Sequence, residues 1–126
     1  MLNLDFSKFV HQILEREKNV IFVVVVNNQY KLLASEIRKD ARTYLEAQAI
    51  RNFAQITPPI VLDSLERLEP LLGPISAVVV RYQKRVLLFS RLEDMAVILG
   101  LDPAVPTPLP DRMAEAIDQI AKQSLK

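Results

Sequence analysis

His11 is the only imidazole in a chain of 126 residues that contains no cysteine. Paired-histidine and thiolate metal sites therefore cannot form, and thiol catalysis and disulfides are excluded with them. Ser7, Ser35, Ser64, Ser76, Ser90 and Ser124 occupy no nucleophile-elbow context, and any one of them would depend on that single histidine as base. Glycine occurs only at Gly73 and Gly100, so neither a G-x-G-x-x-G fingerprint nor a P-loop is present. Carboxylate pairs stand at Glu36/Asp40, Asp63/Glu66 and Glu93/Asp94. Acid–base work would need one member of a pair shifted by burial, whereas helix caps and strand turns explain all three. The expectation is a protein with no catalytic residue, no cofactor and no metal.

Two basic groups raise a different chemistry. One is Arg38, Lys39 and Arg42; the other is Arg81, Lys84, Arg85 and Arg91, with Tyr82 and Phe89 close by. Phosphates on these cations and a base stacked on Tyr82 would make a nucleic-acid-binding module. Two facts oppose this: the net charge is only +1, and strand alternation puts Arg81 and Tyr82 on opposite faces. A charged strand edge that discourages aggregation explains the same residues. A small-ligand sensor is the other alternative, although the apolar runs offer few convergent polar groups.

The elements that would position these residues read clearly. Phe6, Phe9, Val10, Ile13 and Leu14 make one apolar stripe on a helix, with Asp5 as its N-cap. The stretch "VIFVVVVNNQYKLLAS" begins with seven apolar, mostly β-branched residues, Val20–Val26, and reads as a strand covered on both faces. Asn27 and Asn28 tolerate positive φ, so "NNQ" can turn the chain into a second strand. Residues 40–56 read as a long helix with two stripes, Ala41, Leu45, Ala49 and Phe53 on one side and Ala47, Ile50 and Ala54 on another. The sheet can cover only one of them. A Pro-bounded helical turn follows, with Asp63 and Glu66 at capping-box spacing and Val61, Leu65, Leu68 and Leu72 as its apolar side. That side could fold over the second stripe. Runs at 75–82, 85–92 and 95–101, separated by "QK" and "ED", read as a three-strand antiparallel meander. Pro110 can open a last helix whose core stripe is Met113, Ala116, Ile117, Ile120 and Ala121.

One domain over 1–126 is expected, with 57–74 as the inserted turn and 102–110 as a Pro-rich connector. Half the residues are hydrophobic and a quarter charged, which is a globular composition. With no Cys, no Trp, two Gly and eight Pro, it would suit an intracellular thermophile protein. The N-terminal stretch is broken by Asp5, Lys8 and His11 and lacks a signal-peptide core. Val20–Val26 is far short of the roughly 20 residues that span a bilayer. A cytoplasmic protein without membrane insertion is the expectation.

This order of elements, with its first hairpin, the helix "RKDARTYLEAQAIRNFAQ" and the meander "ISAVVVRYQKRVLLFSRLEDMAVILGL", resembles the roadblock (dynein light-chain) family, with longin and profilin-like domains as looser relatives. The inserted turn "PPIVLDSLERLEPLLGP" is a departure from the simplest members. The resemblance implies an α+β sandwich with a five-stranded antiparallel sheet in the order 2-1-5-4-3. The first and last helices would lie on one face and the middle helix on the other. It also implies a homodimer built through the third strand and the middle helix, here Ala47, Ile50, Ala54, Ile75, Ala77, Val79 and Arg81. Such a dimer acts as a scaffold, or as a regulator or partner of a small GTPase. Arg81, Tyr82, Lys84, Arg85 and Arg91 form the alternative patch for a protein or nucleic acid.

Overall fold

In the computed structural model, residues 3–38, 48–49, 52, 56–106 and 108–126 are described. Helix α1 (Phe6–Arg16) leads into strands β1 (Val20–Val26) and β2 (Leu32–Ile37). After the middle segment come a π-helical turn (Pro59–Asp63) and two short helices, α2 (Ser64–Glu66) and α3 (Glu69–Leu72). Strands β3 (Ala77–Arg81), β4 (Val86–Leu92) and β5 (Met95–Leu101) follow, and helix α4 (Leu109–Lys122) closes the order. All strand pairs are antiparallel, in the order β2-β1-β5-β4-β3.

Helices α1 and α4 cover one face of the sheet. Their stripes, Phe9, Val10, Ile13 and Leu14 on α1 and Met113, Ile117, Ile120 and Ala121 on α4, are buried against Val23, Val25, Leu88, Val97 and Leu99. Asp5 caps α1 through its side chain, which accepts the Lys8 N–H at 3.1 Å. At the other end, Arg38 reaches back from beyond β2. Its guanidinium donates to the carbonyls of Leu14 (2.8 Å), Glu17 (3.1 Å) and Val20 (2.9 Å). A cation on the last carbonyls of a helix is the favourable sign for the dipole. Arg38 is thus a helix cap, not part of a basic patch; Lys39 and Arg42, grouped with it by sequence, lie outside the described residues. Pro110 is the second residue of α4, one place later than expected, because the helix begins at Leu109.

The opposite face carries Phe22, Val24, Val26, Leu87, Phe89, Ala96 and Ile98, all buried. Leu62, from the π-helical turn, is fully buried in this cluster. Burying one leucine stabilises by about 1.5–3 kcal/mol. Of the apolar side that could fold over the second stripe, Val61 is half-buried and packs against this cluster, while Leu65, Leu68 and Leu72 are exposed. A π-turn takes up an extra residue per turn, so the face pointing inward is displaced from the one that helical spacing predicts. The second stripe of the middle helix, Ala47, Ile50 and Ala54, lies outside the described residues, as do Ala41, Leu45 and Phe53 of the first. Within that segment Gln48, Ala49 and Asn52 are helical and exposed.

The positive φ of the first hairpin falls at Tyr30 (φ 60°), not at the asparagines. Asn27 contributes its side chain instead, accepting the N–H groups of Gln29 (2.9 Å) and Lys31 (3.0 Å). In the sheet, Gly100 pairs with Phe22. A Cβ at position 100 would overlap the Phe22 ring, so glycine is required there by space and not by φ.

Candidate interaction surfaces

Four polar side chains, from the first hairpin, the inserted turn and β4, meet where that turn rests on the sheet. Arg91, on β4, is paired with Glu66 of α2, its Nε donating to Oε1 at 2.7 Å. Its Nη2 donates to the Tyr30 hydroxyl (3.1 Å) and lies 3.6 Å from Asp63. The Tyr30 hydroxyl in turn donates to the Asp63 carboxylate, and the guanidinium sits 5.8 Å from the Tyr30 ring centroid. Burial, and then the bond to Asp63, push the Tyr30 phenol above its ordinary pKa. Burial alone would lower the Arg91 pKa, but the bonds to Glu66 and Tyr30 outweigh it and raise it. This is a structural staple. A left-handed tyrosine costs about 1–2 kcal/mol, which hydrogen bonding at its hydroxyl helps to offset.

The staple corrects two expectations. Asp63 and Glu66 make no capping box, since neither short helix has a side-chain cap; they hold Tyr30 and Arg91 instead. Arg91, only 18% exposed, is committed to Glu66 and is no member of a cationic patch. Its partners lie 25 and 61 residues away in sequence, which local pattern cannot reveal. His11 stands 3.0 Å from Glu15 and 3.4 Å from Glu36 on the exposed side of α1, as a solvated helix histidine would.

Beside the staple, the inserted turn, the start of the β3 segment and the β4–β5 turn enclose an open cleft of about 440 Å³. At the far end of β3, Arg81, Tyr82 and Lys84 are exposed around the β3–β4 turn. Between the two ends lies an edge. Among the described residues, strand β3 pairs with β4 on one side and with no strand on the other, and the Tyr82 N–H donates to Arg85 O to close the turn. Antiparallel pairs alternate, so Val78 and Val80 also bond to β4, while Ala77, Val79 and Arg81 turn their backbone N–H and C=O groups to the open side. Val79 is 36% exposed.

No protein-family model matches the sequence, and no curated protein matches it. Solved structures do match in shape. MglB of Myxococcus xanthus aligns with a TM-score of 0.69 at 16% identity, over 94% of this chain and 96% of that one. The gliding protein MglB of Thermus thermophilus aligns at 0.68 and 16% identity, over 94% and 89%. A Roadblock/LC7 domain from Streptomyces avermitilis gives 0.68 at 10% identity, over 96% and 93%. The chain has the roadblock fold.

Within the roadblock fold the expected contact residues are split. Ala77, Val79 and Arg81 share the open edge of β3; Ile75 is half-buried just before it. Their side chains point to the α1/α4 face, where Ala77 packs against the core, whereas Val78 and Val80 pack on the other face. A surface that pattern reasoning missed is the outer side of the inserted turn. Leu71 is 79% exposed and Leu72 72%, with Ile60, Leu65 and Leu68 also open. The signal was present in "LERLEPLLG", which holds more leucines than one short turn can bury. Among the described residues, no helix is long and apolar enough to cross a membrane.

Proposed function

We propose that this chain is a non-catalytic homodimeric platform that binds a partner protein. A small GTPase is the partner class that the roadblock likeness suggests. The observation that carries the reading is the open edge of β3, where Ala77, Val79 and Arg81 offer unpaired-side backbone groups to a second strand. Two copies joined there form one continuous sheet by an isologous twofold contact, and the middle helix, with Ala47, Ile50 and Ala54, supplies the second part of the interface. The exposed leucines of the inserted turn then remain for the partner, since contiguous apolar surface of this kind marks interaction sites.

Val79→Pro tests the edge. Its N–H points away from β4, so proline there leaves the β3–β4 ladder intact and deletes a donor to the neighbour. Light scattering after size exclusion should give a dimer for the parent and a folded monomer for the variant. A parent that stays monomeric at high micromolar concentration would sink the reading.

A further inference from the structure

The exposed leucines of the inserted turn border the acidic cleft. Over 65–72 the chain rises in helical turns, the Leu68 N–H donating to Leu65 O and the Leu71 and Leu72 N–H groups to Leu68 O. Glu69, which lines the cleft, therefore shares a flank with Leu65, four residues before it, and Leu72, three residues after. Leu68 extends that apolar surface, and all three leucines are exposed. Leu72 leads through Gly73 into Pro74 and Ile75, both of which line the cleft. A Cβ at Gly73 would meet nothing within 4 Å, so the junction between ridge and cleft is open. The lining carries five carboxylates, Asp63, Glu66, Glu69, Glu93 and Asp94, and the guanidinium of Arg91; five minus one leaves a formal excess of four negative charges. Arg91 is already held by Glu66, and Arg67, the cation of the turn, does not line the cleft. The whole chain is +1, so this acidity is local.

We infer that the leucine ridge and the acidic cleft form one docking surface for a basic amphipathic helix of a partner protein. Its apolar anchors rest on Leu65, Leu68 and Leu72, and its lysines or arginines reach over Glu69 and Asp94. The inference rests on the partner-binding reading above and names the chemistry of the partner. Apolar surface alone would take many occupants, and the charge beside it narrows the choice. Carboxylates along the ridge repel an anionic bilayer, a nucleic acid and an acidic segment alike. A helix with apolar residues on one face and cations on its border satisfies both halves at once. The surface uses none of Ala77, Val79 and Arg81, so a copy paired at β3 and a helix on the ridge can be bound together.

Two labelled peptides of about 18 residues, long enough to be helical, test it by fluorescence anisotropy. Both carry leucines at helical spacing; one has lysine at the remaining positions and its twin has glutamate. The chain should bind the lysine peptide and bind the twin at least roughly 30-fold more weakly. One variant carries Leu68→Ser and Leu72→Ser, a second carries Glu69→Lys and Asp94→Lys. The control carries Glu115→Lys and Asp118→Lys, the same change of charge on the exposed side of α4, across the sheet. Circular dichroism first establishes that each is folded. The first two should lose roughly 10-fold or more in affinity and the control less than about twofold. Raising the salt should weaken binding of the lysine peptide. Equal binding of the twins, a leucine variant that binds like the parent, or a control that weakens as much as the cleft variant would each overturn the inference. So would a leucine variant that turns a parent dimer into a monomer, since the ridge would then be a contact between copies. Adsorption of the parent, but not the leucine variant, to phosphatidylserine vesicles would overturn it in favour of a membrane. A dimeric parent that ignores the lysine peptide overturns the docking surface and leaves the dimer standing. A monomeric parent that binds it as described overturns the dimer and leaves the docking surface standing.

Discussion

Strands β1 and β3 are nearly the same in composition and opposite in circumstance. "VIFVVVV" lies second in the sheet, with strands on both sides and all but Ile21 buried. "AVVVR" lies at the edge and has no fully buried residue. Valine favours a pleated surface in both places, but only position in the sheet decides whether it serves as core or as contact. A run of β-branched residues is thus a statement about local conformation. Whether it holds the molecule together or offers it to another follows from what lies beside it.

Charge should separate the two strands most sharply. Val23→Asp places a carboxylate in a fully buried site and should cost more than about 4 kcal/mol, enough to leave little folded protein by circular dichroism. Val79→Asp should change monomer stability by less than about 1 kcal/mol and abolish dimerisation. Equal damage from both would erase the distinction. The inserted turn repeats the contrast on a smaller scale. Leu62→Ala should cost about 2–5 kcal/mol in urea unfolding, and Leu71→Ala under about 0.5 kcal/mol. A smaller effect concerns the staple. Tyr30→Phe should cost about 1 kcal/mol at neutral pH. Because the folded chain holds the phenol proton more tightly than the unfolded one, native stability should fall as pH rises past about 10. The phenylalanine variant should lose that part of the fall, as measured by unfolding at several alkaline pH values.

The same contrast explains what could be read in advance. The strands of the meander are marked by β-branched and leucine-rich runs with two-residue separators, and α1 and α4 by stripes at helical spacing, so local chemistry carried them. The edge position of β3 depended on topology, which came through likeness to roadblock domains and not through periodicity. The inserted turn defeated helical spacing because its π-turn displaces the inward face to Leu62. Arg38 and Arg91 read as surface cations for a related reason. Their partners, the carbonyls at the end of α1 and the carboxylate of Glu66, are adjacent only after the sheet has formed.

The pairing of Phe22 with Gly100 has a consequence for how the sequence can change over time. The ring fills the space that any larger residue at position 100 would need, so the two sites are one unit of heredity. Enlarging position 100 is open only to a lineage that has first trimmed position 22. Descendants of this chain that carry a larger residue at position 100 should therefore already have lost the phenylalanine at position 22.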